Sequence, residues 1–328
     1  MTDSQTLWTC LAQTLSRGKP AMLLVVVDHR GSSPGTTGAK MIVSKSAVCG
    51  TVGGGAVEQA LIEHAREVMA AGAAAPTLVR HDHHDHHGGQ AGFVSGMLCG
   101  GCQTTLLYPG DNRLLAAAEG ILAALENGQR GVLRLTPAGV TFEPGTYVPE
   151  DSHFVGNGSQ WCYEENAGLW TAYIIGGGHV GLALSRVLAM LDFHITVIEQ
   201  REGVETFRKN RFARNKLVAC YDRAGALIPG GRNCHAFIMT HDHDLDQYVL
   251  AQLICKPMRY LGLLGSRRKV KRTLGNLGLN GKNIPPYFYA PIGLPIHSHK
   301  PAEIAISIAA QVILLRNAML AQAPVPPP

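Results

Sequence analysis

Tyr173-Ile-Ile-Gly-Gly-Gly-His-Val-Gly181 decides how this chain is read. Ile174 and Ile175 end an apolar run of the kind that forms a buried strand. Gly176, Gly178 and Gly181 follow at the G-x-G-x-x-G spacing, with Gly177 and His179 inside the loop. Val180, Leu184, Val187, Leu188 and Leu191 then recur at helical intervals. A second apolar run, Ile195 to Ile198, ends in Glu199, where a ribose-binding acid would sit. The glycines differ in what they permit. The first allows a tight turn, the second lets a pyrophosphate approach the backbone, and the third lets helix and strand pack closely. Free N–H groups and the positive dipole at the helix start would hold an anion. Strand, glycines, helix, strand and acid in this order predict a Rossmann-like parallel-sheet unit.

Working outward, 328 residues suffice for two domains with separate cores. A hydrophobic content of 46%, a charged content of 16% and 38 glycines describe an α/β protein with many strand-to-helix turns. The net charge of +5 suits a phosphate-bearing small ligand or an acidic patch on a partner and does not call for nucleic acid. No apolar span of membrane length appears, and the polar start Met-Thr-Asp-Ser-Gln-Thr lacks the pattern of a signal peptide. Eight irregularly spaced cysteines do not suggest a disulfide scaffold, so a cytoplasmic protein with reduced thiols is expected.

The first half reads as its own N-terminal α/β domain, residues 1–143. Strands are expected over Met22–His29, Lys40–Val43 and Ala47–Val52, with the turn Gly31-Ser32-Ser33-Pro34-Gly35 after the first. Gly53-Gly54-Gly55 opens a helix from about Ala56 to Met69, and further strands begin near Thr77 and at Gln103. A helix over Leu114–Leu125 is ended by Asn127-Gly128. Residues 144–170 are rich in Gly, Pro, Asn, Ser and acids and read as a connecting segment, although Trp161 and Trp170 imply that it packs on something. The Rossmann-like domain then runs over residues 171–321, with a proline-rich tail at 322–328.

Two clusters in the first half carry chemistry. Five histidines between His81 and His87 are either a divalent-metal site or a solvated polar loop. Cys99-Gly100-Gly101-Cys102 offers a small accessible thiol beside backbone N–H donors, which suits a thiolate ligand or sulfur carrier. Half of a zinc site is disfavoured because no second C-x-x-C completes it, and two cysteines buried as small hydrophobes is the bland alternative.

In the second half, basic residues from Arg201 to Lys216 read as a solvated face. Strand His235–Thr240 ends in His241-Asp242-His243-Asp244, and strand Arg259–Leu264 ends in Gly265-Ser266-Arg267. Both lie at carboxyl ends of strands, the edge where open α/β sheets bind ligands. Ser266 and Arg267 would cradle a phosphate, or Ser266 would simply cap a helix; Asp242 lies at the ligand-binding edge or, with Asp244, simply caps the helix from Leu245.

Several short motifs now stand in a definite order: Gly31-Ser-Ser-Pro34 with Gly38-Ala-Lys-Met41, Gly53-Gly-Gly-Ala-Val-Glu58, Cys99-Gly-Gly101, Gly176 to Val180, Thr240 to His243, Gly262 to Lys269, and Ala290-Pro-Ile-Gly293. Over nearly the whole chain this pattern resembles the XdhC/CoxI family of xanthine dehydrogenase accessory proteins. The resemblance implies a chaperone of the molybdenum cofactor rather than an enzyme. Such a protein binds the molybdopterin, with or without a nucleotide extension, assists its sulfuration with a cysteine desulfurase, and delivers it to an apo molybdenum hydroxylase. A homodimer is compatible with it. The resemblance maps the molybdenum-holding thiolate onto Cys99, and Gly176, Gly177, Gly178, His179, Gly181, Glu199, His241, Asp242, Ser266 and Arg267 complete the expected cofactor site. The histidine tract, Cys102 and His297-Ser298-His299-Lys300 depart from the family pattern.

The competing reading is an NAD(P)-dependent oxidoreductase, favoured by the glycine fingerprint and Glu199. No convincing hydride-transfer acid–base set accompanies them, and His179 would crowd a dinucleotide pyrophosphate. In a pterin site the same imidazole could donate to phosphate or pyran oxygens. A nucleotide-sensing scaffold that binds a partner through its first domain is the third reading.

Overall fold

A computed structural model describes residues 4–72, 75–82, 101–148, 152–157, 159–281 and 283–321. The chain divides into two units, Met1–Gly168 and Leu169–Pro328.

The first unit comprises α1 (Ser4–Ser16), β1 (Ala21–Arg30), β2 (Lys40–Ser44), β3 (Val48–Gly50), α2 (Gly55–Ala70), β4 (Thr77–Asp82), β5 (Cys102–Pro109), α3 (Asn112–Glu126), β6 (Arg130–Thr136), β7 (Gly139–Pro144), β8 (Ser152–Asn157) and β9 (Gln160–Gly168). Its first sheet is antiparallel in the order β3-β2-β1-β5-β4. The run Ala21 to Val27 of β1 is buried throughout. Met22, Leu24 and Val26 on one face pack with Val57, Leu61, Ile62 and Ala65, the apolar stripe of α2. The α3 helix starts where the Asp111 carboxylate accepts from the Leu114 N–H (2.8 Å). It stops at Asn127-Gly128, with Gly128 at φ +64°, as expected from the sequence.

The segment expected to connect the domains is instead largely β-sheet. β8 and β9 join β6 and β7 in a four-stranded antiparallel sheet of order β7-β6-β9-β8. Trp161, Tyr163 and Glu165 alternate inward along β9. The desolvation of the buried Glu165 is offset by the Tyr163 hydroxyl, which donates to it (2.7 Å), and by the Lys40 ammonium, which pairs with it (2.6 Å). Asn166 is likewise satisfied by the Val148 backbone, through both its N–H (3.0 Å) and its carbonyl (2.9 Å). Polar composition suggested a linker, but these polar groups have internal partners. Only Leu169 separates β9 from the first strand of the second unit.

That unit comprises β10 (Trp170–Ile175), α4 (His179–Ala189), β11 (Phe193–Glu199), α5 (Glu205–Arg208), β12 (Asn215–Val218), α6 (Ala224–Leu227), β13 (Gly231–Ile238), α7 (His243–Leu253), β14 (Met258–Leu263), α8 (Arg267–Asn276), β15 (Phe288–Tyr289) and α9 (Pro301–Ala321). Its sheet has six parallel strands in the order β12-β11-β10-β13-β14-β15. This is the doubly wound Rossmann arrangement, in which strand order reverses between β10 and β13. Alternate strand residues serve opposite cores. Ile175, Ile198 and Ile238 pack with α6, α7 and α8, whereas Ile174, Val197 and Phe237 pack with α4 and α9. Strands buried on both faces must be apolar at every position, so they read as continuous runs. Among the described residues no helix is long and apolar enough to cross a membrane.

Trp161 distinguishes a packed strand from a tether, since it is buried in β9. Trp161→Ala should cost about 3–5 kcal/mol in urea unfolding. A loss below roughly 1 kcal/mol would return this segment to the role of a linker.

Candidate functional site

The glycine loop lies at the switch point of the parallel sheet. Gly176 has φ +120°, and a Cβ there would overlap the Met239 carbonyl oxygen that follows β13. A Cβ on Gly181 would overlap the Gly176 carbonyl, so the third glycine seats α4 on β10. Gly177 is closed off: its N–H donates to Glu199 (2.9 Å), its carbonyl accepts from the Thr206 hydroxyl (2.5 Å), and Phe207 packs over it. Gly178 differs. A Cβ built on it meets nothing within 4 Å, and no side chain caps α4 at this position. The N–H groups of Gly178 and His179 have no acceptor among the described residues. His179 is exposed as the first residue of α4. The loop therefore presents open space and backbone donors at one point, which is what an oxyanion needs.

Glu199 stands at the end of β11, as the sequence predicts, but it is not available to a ribose. It is fully buried, and both carboxylate oxygens are engaged. Oε1 accepts from the Arg201 N–H (3.1 Å) and Nε (2.9 Å), while Oε2 accepts from Gly177 N–H (2.9 Å) and Arg201 Nη2 (3.1 Å). Burial opposes its ionisation, but the Arg201 guanidinium and the two N–H donors hold its carboxyl below the ordinary range. Arg201, read from the sequence as part of a solvated basic face, is thus the partner of the expected ribose acid. The acid serves to fasten the glycine loop.

The neighbouring strand ends show the same division. Asp242 caps α7 through the N–H groups of Asp244 (2.8 Å) and Leu245 (3.2 Å), and those donors, led by Leu245, lower its carboxyl. Ser266 caps α8 through the Lys269 N–H (3.3 Å). Capping is thus observed for both, while His241 and Arg267 are exposed at the same carboxyl edge of the sheet. Sequence reasoning missed the group that holds this edge together. Asp246, fully buried, accepts from the Thr240 N–H (2.9 Å) and hydroxyl (2.6 Å) and pairs with the Lys269 ammonium. Lys269 also donates to the Leu264 carbonyl (3.2 Å). This one cluster ties the ends of β13 and β14 to α7 and α8. Removing one partner of a buried pair costs about 3–5 kcal/mol, so the cluster anchors this edge.

In the first unit, motifs far apart in sequence meet around Gln103. Its Oε1 accepts from the Ser33 hydroxyl (3.1 Å) and the Gly35 N–H (3.1 Å). Its Nε2 donates to the Val52 carbonyl (3.1 Å) and to Thr105 (3.1 Å). A Cβ on Gly35 would overlap the Val52 carbonyl, and one on Gly101 would overlap the carbonyls of Ser32 and Arg30. Glu58 secures the adjoining Gly53-Gly54-Gly55 turn by accepting from the Thr51 hydroxyl (2.5 Å) and the N–H groups of Val52 (2.8 Å) and Gly54 (3.0 Å). Beside this cluster opens a pocket of about 420 Å³, lined in part by Pro34, Gly35, Thr51, Gly53 and the Lys40–Glu165 pair.

Cys99 and Gly100 lie outside the described residues, as does the histidine tract from His83 onward. His81 is a buried residue of β4 and lies opposite Gln103. Cys102 heads β5, half-buried between Arg30 of β1 and Asp82 of β4. Among the described residues no group of three His, Cys, Asp or Glu side chains is placed to hold a metal ion.

Gln103→Ala should destabilise the first unit by about 2–4 kcal/mol in urea unfolding, since it strands buried donors and acceptors on two loops. A loss below roughly 1 kcal/mol would show that the loops stand without it. Glu58 gives a pH test. Burial works against its charge, but the Thr51 hydroxyl and the turn N–H groups hold the folded-state carboxyl below its ordinary value. Its contribution is therefore complete above the ordinary carboxylate range and fades as pH falls through the lower folded value. The urea midpoint of the parent should drop more steeply than that of Glu58→Gln between about pH 6 and about pH 3. Parallel curves would remove Glu58 from the acid response.

Comparison with known proteins follows the same motifs. Residues 14–82 match the XdhC and CoxI family, and residues 172–312 match the XdhC Rossmann domain. Together the matches cover more than half of the chain. A protein of Bacillus subtilis (strain 168), named as a probable xanthine dehydrogenase subunit, is 40% identical over 144 residues, 44% of this chain and 42% of that protein. The molybdenum cofactor insertion chaperone PaoD of Escherichia coli (strain K12) is 30% identical over 144 residues, 43% of this chain and 40% of PaoD. The matched stretches thus span about two fifths of these relatives. A crystal structure from Bacillus halodurans, described as a xanthine dehydrogenase, shares 25% identity and a TM-score of 0.72, with 97% of this chain and 98% of that chain covered. On these matches, and on the motifs that meet at the two loop clusters, the chain belongs to the XdhC/CoxI family.

Proposed function

We propose that this chain is an accessory factor that binds molybdenum cofactor, assists its sulfuration with a cysteine desulfurase, and delivers it to an apo molybdenum hydroxylase of the xanthine dehydrogenase or aldehyde oxidoreductase type. The observation that carries the reading is the contrast within one loop. Gly178 and His179 leave open space and free N–H groups for an oxyanion, while Glu199, the acid a dinucleotide ribose would need, is closed by Arg201. An anion seat without a ribose acceptor suits the phosphate of a pterin better than a nicotinamide dinucleotide. The family and the name that PaoD carries point the same way.

The described residues fit the phosphate-bearing part of such a group, because a side chain at Gly178 would fill the approach that its absence leaves open. In this reading Gly176, Gly177 and Gly181 shape the loop, Gly178 and His179 contact the phosphate, and His241, Ser266 and Arg267 stand at the same edge of the sheet. Glu199 and Asp242 act indirectly, by holding loop and helix. Cys99 supplies the thiolate for molybdenum, whose softness matches the metal. When bound, the cofactor carries the redox chemistry of the hydroxylase; this chain holds it, shields it and releases it.

Gly178→Val should fold normally, since its Cβ enters open space, yet retain at least about tenfold less pterin. Cys99→Ser should lose molybdenum and fail to activate the apo hydroxylase, while Cys102→Ser should do less harm. Bound pterin, bound molybdenum and hydroxylase activation at matched thermal stability check both. Parental pterin content in Gly178→Val would move the cofactor elsewhere, and equal small effects of the two serines would make the thiols packing residues.

A further inference from the structure

The carboxyl edge of the parallel sheet carries a second opening, between α7 and α8. It is a cleft of about 230 Å³ lined by His243, Asp244 and Gln247 of α7 and by Ser266, Arg268, Lys269, Arg272 and Thr273 around α8. Arg267, the arginine that the sequence singles out, does not line it. Arg268 and Arg272 are four residues apart on α8, so their guanidinia project from one face of the helix. Neither has an ion-pair or hydrogen-bond partner among the described residues. Lys269 is different: it is turned inward, its ammonium paired with Asp246 and its stem lying where a side chain on Gly265 would be. The walls are fixed to each other by that pair and by Asn276 Nδ2, which donates to Gln247 Oε1 (2.8 Å).

We propose that this cleft is an oxyanion site for a phosphate-type dianion, held by Arg268 and Arg272. The charge balance favours it. Asp246 offsets Lys269, and Asp244 offsets at most one of the two remaining guanidinia. Guanidinium forks match phosphate oxygens two at a time, and the site needs no rearrangement because its walls are already tied. Ser266 uses its oxygen as an acceptor for the Lys269 N–H, which leaves its O–H free to donate to an anion. The inference stands apart from the glycine loop, whose anion seat is on the neighbouring strands β10 and β11. The phosphate could belong to free phosphate or to the far end of a ligand that begins at Gly178.

Calorimetric titration of the full chain with inorganic phosphate at constant ionic strength tests this directly. The parent should bind saturably, and Arg268→Gln and Arg272→Gln should each weaken binding roughly tenfold or more. Lys271→Gln removes the same charge from the same helix outside the cleft and should leave the affinity within about twofold of the parent. Retained pterin measured in the two arginine variants separates the sources: a fall assigns the phosphate to the cofactor, and an unchanged value assigns it to free phosphate. The proposal is overturned if the parent shows no saturable binding, if Lys271→Gln is as damaging as the arginine variants, or if both arginine variants bind phosphate as tightly as the parent.

Discussion

Backbone packed directly on backbone is the constraint on which both loop clusters depend. At the switch point, Gly176 lies against the Met239 carbonyl and Gly181 against the carbonyl of Gly176. In the first unit, Gly35 lies against the Val52 carbonyl and Gly101 against those of Ser32 and Arg30. A methyl group at any of these positions would overlap main-chain atoms, which cannot swing aside as a side chain can. The loops meet because these residues carry nothing to keep them apart. Gly178 differs from these four, since the space that its missing side chain leaves is not filled by the protein itself. Internal packing explains those four glycines and a positive φ explains Gly54, whose Cβ would also enter open space; Gly178 has neither reason, with φ −71°, and an approaching ligand is the natural explanation for it.

Close backbone contact leaves N–H groups to be satisfied, and carboxylates do much of this. Glu58 takes the N–H groups of Val52 and Gly54, Glu199 those of Gly177 and Arg201, and Asp246 that of Thr240. Each also accepts from a side chain: the Thr51 hydroxyl, the Arg201 guanidinium or the Lys269 ammonium. Such fully engaged acids order loops and hold them still. The proposed role, to hold and release a cofactor, calls for ordered loops of this sort, with the opening left at the backbone.

The parallel-sheet unit was legible because its signals are local. Strands buried on both faces must be apolar, the turn must be glycine, and the helix must repeat its apolar face. Where structure departs from expectation, the cause is a side-chain partner that a pattern of residue types does not reveal. β9 contains Glu164, Glu165 and Asn166 and reads as a linker until Lys40, Tyr163 and Val148 are placed beside it. Glu199 reads as a ribose acid until Arg201 folds back onto it. Gln103 reads as the start of a strand, because its importance lies in loops that precede it by some 50 and 70 residues. The sequence pattern singled out Arg267 and passed over Arg268 and Arg272, since only the packing of α7 decides which arginines border a cleft.

The central claim is that an oxyanion-bearing pterin, and not a nicotinamide dinucleotide, occupies the glycine loop. Its most direct measurement is the identity of the small molecule released when the freshly purified chain is denatured. Oxidation of that extract should yield the fluorescence and mass of an oxidised pterin in near-stoichiometric amount, with molybdenum alongside. A nicotinamide dinucleotide in that amount, with no pterin, would contradict the account. It would mean that Glu199 exchanges its Arg201 partner for a ribose.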